Sequence, residues 1–249
     1  LNRYELKSEE IHFFYTQVDK IDSNSLLKHY RSIISKAEKQ KVDKYIFEKD
    51  QLNCLVTRAL LRFVLSAYTD EDPEYFEFVE NGFGKPLLKP GCIEMPIKFN
   101  ISHSSGITAC ALVIDSEIGI DVENYRRAVD LDIADRFFSK YESEQLHRSP
   151  ETERQSLFFD LWTLKESYIK ARGMGLSIGL DKFSFRIDHS NIDIKFHESL
   201  GDFSEQWQFF RFSPVRGYKA AIAVNSFWRP RFKLHIHKCL PFDYIQKHL

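Results

Sequence analysis

The sequence has little with which to crosslink itself. Its four cysteines, Cys54, Cys92, Cys110 and Cys239, include no C-x-x-C pair, which excludes the usual zinc-ribbon and redox spacings. Cys54 and Cys110 lie among apolar residues and read as buried thiols of a protein kept in a reducing, cytoplasmic compartment. Long apolar runs are missing as well. The longest, ACALVI at 109–114, is far too short to span a bilayer, and LNRYELKSEE at 1–10 lacks the apolar core of a signal peptide. A soluble protein with no membrane partner is expected. Neither sign of charge is in excess: Lys+Arg number 35 and Asp+Glu 36. Such a balance excludes the broadly basic field of a nucleic-acid binder, so any charged ligand must be held by a local cluster. No Gly/Ser linker, Walker loop, G-x-S-x-G elbow or dinucleotide fingerprint occurs.

What is present suffices for a large core. The 249 residues are 43% apolar and include 22 Phe, enough for one large domain or two small ones. IHFFYTQVD (11–19) reads as a strand, 23–48 as charged helix and 51–68 as a strong helix, with Leu52, Leu55, Val56, Ala59, Leu60, Phe63 and Val64 at helical spacing. YFEFV (75–79) reads as a short strand and 81–96 as a loop, while 99–102 and 107–115 are strands around an HSSG turn. In EIGIDVEN (117–124), Ile118, Ile120 and Val122 alternate with Gly119, Asp121 and Glu123, a period of two with Gly119 leaving the acidic face open. A helix is expected over 130–147, with Phe137 and Phe138 inside, and a long one from Thr152 to about Arg172, ended by GMGLSIG. FSFRI, IDIKF, WQFFRF, YKAAIAV and FKLHIH then read as one antiparallel sheet. Strands with a long helix occur twice over, which suggests an α+β fold of two similar halves, 1–115 and 116–249, each a small antiparallel sheet on a long helix.

Several residues could carry chemistry. Asp121 and Glu123, at i and i+2 of a strand, point the same way. They are either a solvated strand face or a pair able to share Mg²⁺ or Mn²⁺. Glu166 and Lys170 stand one helical turn apart, a spacing that by itself describes a surface ion pair. Ser102 and His103 in SHSSG could offer hydroxyls and backbone N–H groups to an anion or simply form a hairpin, and Lys85 in GKP sits in ordinary turn chemistry. Arg58 and Arg62 share a helix face. His235 and His237 form H-x-H with no nearby carboxylate in the sequence, and exposure on a sheet is the expectation for them.

Taken in order, GKP (84–86), FNISHS (99–104), GIDVE (119–123), FFS (137–139), WTLKESYIK (162–170) and GMGLS (173–177) closely resemble the 4′-phosphopantetheinyl transferase superfamily, Sfp type. The resemblance covers about residues 35–185 by motif and nearly the whole chain by spacing. It implies two α+β halves related by a pseudo-twofold, with an active site in the cleft between them. It also implies transfer of the 4′-phosphopantetheine arm from coenzyme A to a serine of an apo acyl or peptidyl carrier protein, releasing adenosine 3′,5′-bisphosphate. By this resemblance Asp121, Glu123 and Glu166 are the magnesium ligands, and Glu166 also takes the serine proton, directly or through water. Lys170 sits against the pyrophosphate, and Lys85, Ser102, His103, Arg58 and Lys41 hold the coenzyme's phosphates. Asn53 stands where some relatives carry a basic residue, which leaves the 3′-phosphate to Arg58 and Lys41. The two halves in one polypeptide imply a monomer. Arg126 and Arg127, followed by Phe137 and Phe138, are the expected docking patch for an acidic carrier helix. Two rival readings use the same residues: a Mg²⁺-dependent phosphate-ester hydrolase and a coenzyme A-binding module without turnover.

Overall fold

Ile11 to Thr16 are buried on both faces of the first strand, β1 (Glu10–Gln17), the pattern of a strand at the centre of a sheet rather than at its edge. The structure, a computed structural model, describes residues 4–189, 191–227 and 231–248; the outermost residues of the two expected halves, 1–3 and 249, lie outside these. The chain divides into two units, the first Leu1–Asn81, Pro86–Asp115 and Lys233–Leu249, the second Gly82–Lys85 and Ser116–Phe232.

In unit 1, β1 is followed by α1 (Asn24–Ile33), which Ser23 caps by accepting from the Leu26 N–H, and by α2 (Lys36–Asp43), which opens with a Ser35/Glu38 capping box. Then come α3 (Glu48–Ser66), the short pair β2 (Phe78–Glu80) and β3 (Pro86–Leu88), β4 (Ile97–Ser104) and β5 (Ile107–Ile114). The segment expected as loop over 81–96 therefore contains a strand, because Pro86 needs no ladder donor at an edge. α3 lays its apolar stripe over β4 and β5, joining Leu60, Phe63 and Val64 to Phe14, Phe99 and Leu112 in one core.

Unit 2 begins with β6 (Ile118–Asn124), α4 (Asp132–Phe137), α5 (Lys140–Arg148) and α6 (Glu151–Arg172). The single helix expected over 130–147 is broken at Phe138, whose extended backbone hands over to the Ser139/Glu142 capping box of α5. Phe137 is 53% exposed and Phe138 only 4%, so the expectation of both phenylalanines inside holds for Phe138 alone. Gly173 ends α6 in the left-handed region, where it carries no Cβ penalty. A hairpin of β7 (Phe183–Asp188) and β8 (Asn191–Phe196) follows, then β9 (Trp207–Phe212) and β10 (Tyr218–Asn225). Strand order β6-β10-β9 makes a three-stranded antiparallel sheet, against which α6 packs through β6 and β10.

The chain then returns to unit 1 as β11 (Lys233–Leu240) and β12 (Tyr244–His248), giving a five-stranded sheet of order β12-β11-β1-β5-β4. β11 runs parallel to β1. This corrects three expectations. The C-terminal strands do not form one antiparallel sheet, residues 233–249 do not stay with the second half, and the sheet of unit 1 is mixed. The reason is tertiary: β1 has an edge that only a distant strand can fill. The architecture is mixed α and β, with small sheets and packed helices. No helix among the described residues is long and apolar enough to cross a membrane.

Candidate active site

The seat of α6 is set by what β6 lacks. Gly119 and its ladder partner Ala223, with Ala221 beside Asp121, leave one sheet face almost without side chains. A Cβ on Gly119 would lie 2.0 Å from the Ser167 carbonyl oxygen and 2.2 Å from the Ala171 nitrogen. The face expected to be open is thus closed by helix backbone, a correction that gives Gly119 its physical role. Two residues further along β6, the side chain of Asp121 meets α6 at a residue it can bond: Lys170 Nζ donates to Asp121 Oδ1 at 2.6 Å.

Glu166, one turn before Lys170, completes the group. Burial raises the proton affinity of its carboxyl, Asp121 raises it further and Glu123 adds to that, while Lys170 lowers it. Asp121 and Glu123 thus lie near enough to Glu166 to act on it electrostatically. Asp121 is buried, while Glu123, Glu166 and Lys170 remain partly open to solvent. Arg127 Nε lies 3.5 Å from Glu123 Oε2 and its guanidinium covers the Phe159 ring. Lys170 therefore belongs to an acidic cluster, and the surface-pair reading of Glu166 and Lys170 gives way.

The other expected residues are placed less simply. Lys85 Nζ donates to the carbonyls of Ile118 at 3.1 Å and Ala171 at 3.0 Å and lies 3.2 Å from Glu117 Oε2. It ties segment 82–85 to β6 and neutralises the C-terminal end of α6. In unit 1, Lys41 and Arg58 line one recess of about 470 Å³ with Glu38, Glu80 and Phe78, and Lys41 pairs with Glu80. Arg62 is structural: it is buried, donates to Glu38 Oε2 at 2.6 Å and the Pro73 carbonyl at 2.8 Å, and stacks over Phe78. Ser102 and His103 are neighbours on β4, Ser102 buried and His103 exposed.

Two site-supporting residues escaped the sequence reading. Lys165 and Glu142 form an ion pair at 2.7 Å with both side chains 0% exposed. Lys165 also donates to the carbonyls of Leu180 and Phe183, and Glu142 accepts from the Phe185 N–H. Both buried charges thus have several partners, and the pair ties α5, α6 and β7 together. The only signal available was the capping pattern S-x-x-E at 139–142.

Similarity to known proteins gives the family. Residues 117–223 match the family described as the 4′-phosphopantetheinyl transferase superfamily, and 22–114 match the one described as 4′-phosphopantetheinyl transferase, N-terminal. The chain is 30% identical over 230 residues to 4′-phosphopantetheinyl transferase HetI of Nostoc sp., an alignment spanning 91% of this chain and 93% of that one. It is 37% identical over 160 residues to 4′-phosphopantetheinyl transferase Sfp of Bacillus subtilis, covering 64% and 68%. With gsp of Aneurinibacillus migulanus the identity is 36% over 152 residues, 61% of each chain. On these matches the chain belongs to the 4′-phosphopantetheinyl transferase superfamily as an Sfp-type enzyme, of the family that transfers the phosphopantetheine arm to carrier proteins.

Proposed function

We propose that this enzyme moves the 4′-phosphopantetheine arm of coenzyme A to a serine of an apo acyl or peptidyl carrier protein and releases adenosine 3′,5′-bisphosphate. The observation that carries the reading is the Lys170–Asp121 contact on the β6–α6 seam, with Asp121 and Glu123 near enough to Glu166 to act on its charge. The donor set fits Mg²⁺, or Mn²⁺. It is all oxygen, and Glu166 holds its proton more tightly through burial first and then the nearby negative charge of Asp121 and Glu123, a repulsion that a divalent cation relieves. Asp121, Glu123 and Glu166 would hold the ion, which supplies charge neutralisation at the coenzyme's pyrophosphate.

In this reading Glu166 takes the proton of the attacking carrier serine through a water. The serine oxygen bonds to the phosphorus that bears the pantetheine arm. The bond from that phosphorus to the bridging oxygen breaks, and its electron pair leaves on adenosine 3′,5′-bisphosphate, where Lys170 stabilises the charge. Lys41, Arg58, Ser102 and His103 bind the coenzyme's phosphates, and Lys85 does so by exchanging one of its present acceptors. Arg126 and the exposed Phe137 receive the carrier helix; Phe138 has no part in it, being core. A cytoplasmic monomer, with the pseudo-twofold of the family, belongs to the same reading.

Intact-mass spectrometry of an apo carrier protein incubated with the enzyme, coenzyme A and Mg²⁺ tests it. A metal-dependent gain of one phosphopantetheine arm, absent with Glu166→Ala, is the expected outcome. Consumption of coenzyme A with no gain on several unrelated carriers would mark a hydrolase instead.

A further inference from the structure

Far from the acidic cluster in sequence, unit 1 gathers a second set of metal-ligating side chains. His12 on β1 and His235 on β11 are ladder partners in the parallel register. Glu10, two residues before His12, and His237, two after His235, share their face. The H-x-H motif was expected to lie exposed, but His237 is 1% exposed and stacks on Phe14, with ring centroids 4.6 Å apart. Glu10 lies between the other two imidazoles: its Oε2 is 3.4 Å from His12 Nε2 and its Oε1 3.4 Å from His235 Nε2. The ligand atoms of Glu10, His12 and His235 all lie within 4.8 Å of one another. Among the described residues this is the one group of three His, Cys, Asp or Glu side chains so close.

We infer that Glu10, His12 and His235 form a binding site for a borderline divalent transition metal, zinc above all, distinct from the magnesium site. A tetrahedral zinc with bonds of about 2.1 Å holds its ligand atoms about 3.4 Å apart; here each imidazole nitrogen lies 3.4 Å from its own oxygen of Glu10, and one atom from each residue comes within 4.8 Å of the others. Two imidazoles and one carboxylate are too few hard oxygens for Mg²⁺ and suit zinc. The far ring atom of His12 is held as metal-bound imidazoles are held: Nδ1 lies 2.5 Å from the Tyr68 hydroxyl oxygen. With Nδ1–H donating to Tyr68, the Nε2 lone pair faces Glu10. The side chains of Glu10 and His235 keep a small exposure, 14% and 12%, which gives an ion a way in. The ligands come from strands at opposite ends of the chain, so the metal would fasten the returning strand β11 to β1.

The chelator-stripped full-length enzyme is dialysed against zinc in excess Mg²⁺, and bound zinc is measured by inductively coupled plasma mass spectrometry. One zinc per chain is expected in the wild type and in Asp121→Ala. Zinc is expected to be lost in Glu10→Gln and in His235→Gln, with folding checked by circular dichroism. Tyr68→Phe is expected to weaken zinc about 10–100-fold without removing the site. Zinc should also raise the wild-type melting temperature but not that of His235→Gln. No zinc in Asp121→Ala, or undiminished zinc in a folded His235→Gln, overturns the inference. The first of these results is read on a protein that keeps all three ligands, so it decides even if the ligand variants do not fold.

Discussion

Burial lifts the Glu166 carboxyl above its usual range, and Asp121 and Glu123 lift it further against the lowering pull of Lys170. A group whose folded pKa stands above its unfolded one takes up protons on folding between the two values. Its favourable contribution is complete below the ordinary value of 4.5 and is lost as pH rises through the folded value. At neutral pH the charged Glu166 is therefore a cost to the metal-free fold. Glu166→Gln is expected to raise the melting temperature of the metal-free enzyme at neutral pH, the gain shrinking as pH falls toward 4.5, while transfer to carrier protein is abolished. Scanning calorimetry in chelator across this range checks it, and a lower melting temperature at neutral pH would count against the electrostatic account. At this scale the sequence was informative. The alternation of 118–123 and the one-turn spacing of Glu166 and Lys170 marked these side chains as candidates, and the family resemblance gave them roles. They did not show that Lys170 bonds Asp121, because a helical pattern does not say which strand lies under it.

At the scale of elements, the decisive contact is between β6 and α6. Gly119 lets the helix backbone come within reach of the strand, and Asp121 then meets Lys170. Gly119→Ala places a methyl group inside the van der Waals radius of two helix backbone atoms, which no rotamer change relieves. A loss of at least about 1–3 kcal/mol is expected, as for an overpacked core. Turnover should fall with it, since α6 must shift away from Asp121 and Glu123. Urea unfolding beside the carrier-loading assay checks both, and an alanine variant of full stability and activity would sink the close-packing account. Lys165 shows the limit of reading elements from sequence. In WTLKES it sits beside Glu166 and looks equally available for chemistry, yet it points the other way into a fully buried pair with Glu142. Neighbouring helix positions differ in direction by about 100°, so adjacency in the motif gave no guide to function.

At the scale of the molecule, each unit has its own core, and the last strands belong to the first. Deleting 233–249 would strip β11 from β1, exposing a buried strand edge and removing His237, which stacks on Phe14, together with the buried Cys239. Hydrogen exchange is expected to show lost amide protection in β1 and β5 and retained protection in β6 and β10. Full protection of β1 in the truncated chain would contradict the topology. The sequence by itself determined the elements with strong periodicity, the turn that ends α6 and the family, and it offered Asp121, Glu123, Glu166 and Lys170 as candidates. The elements and the turn depend on patterns within about twenty residues, where spacing fixes direction, while the family rests on the order of motifs along residues 35–185. Only the tertiary structure decided that β11 closes the sheet of unit 1 beside β1. It also decided that Arg62 and Lys165 are buried in ion pairs, and that Glu10, His12 and His235 meet. Those pairings join residues up to 225 positions apart, and no local period records which distant strand fills an open edge.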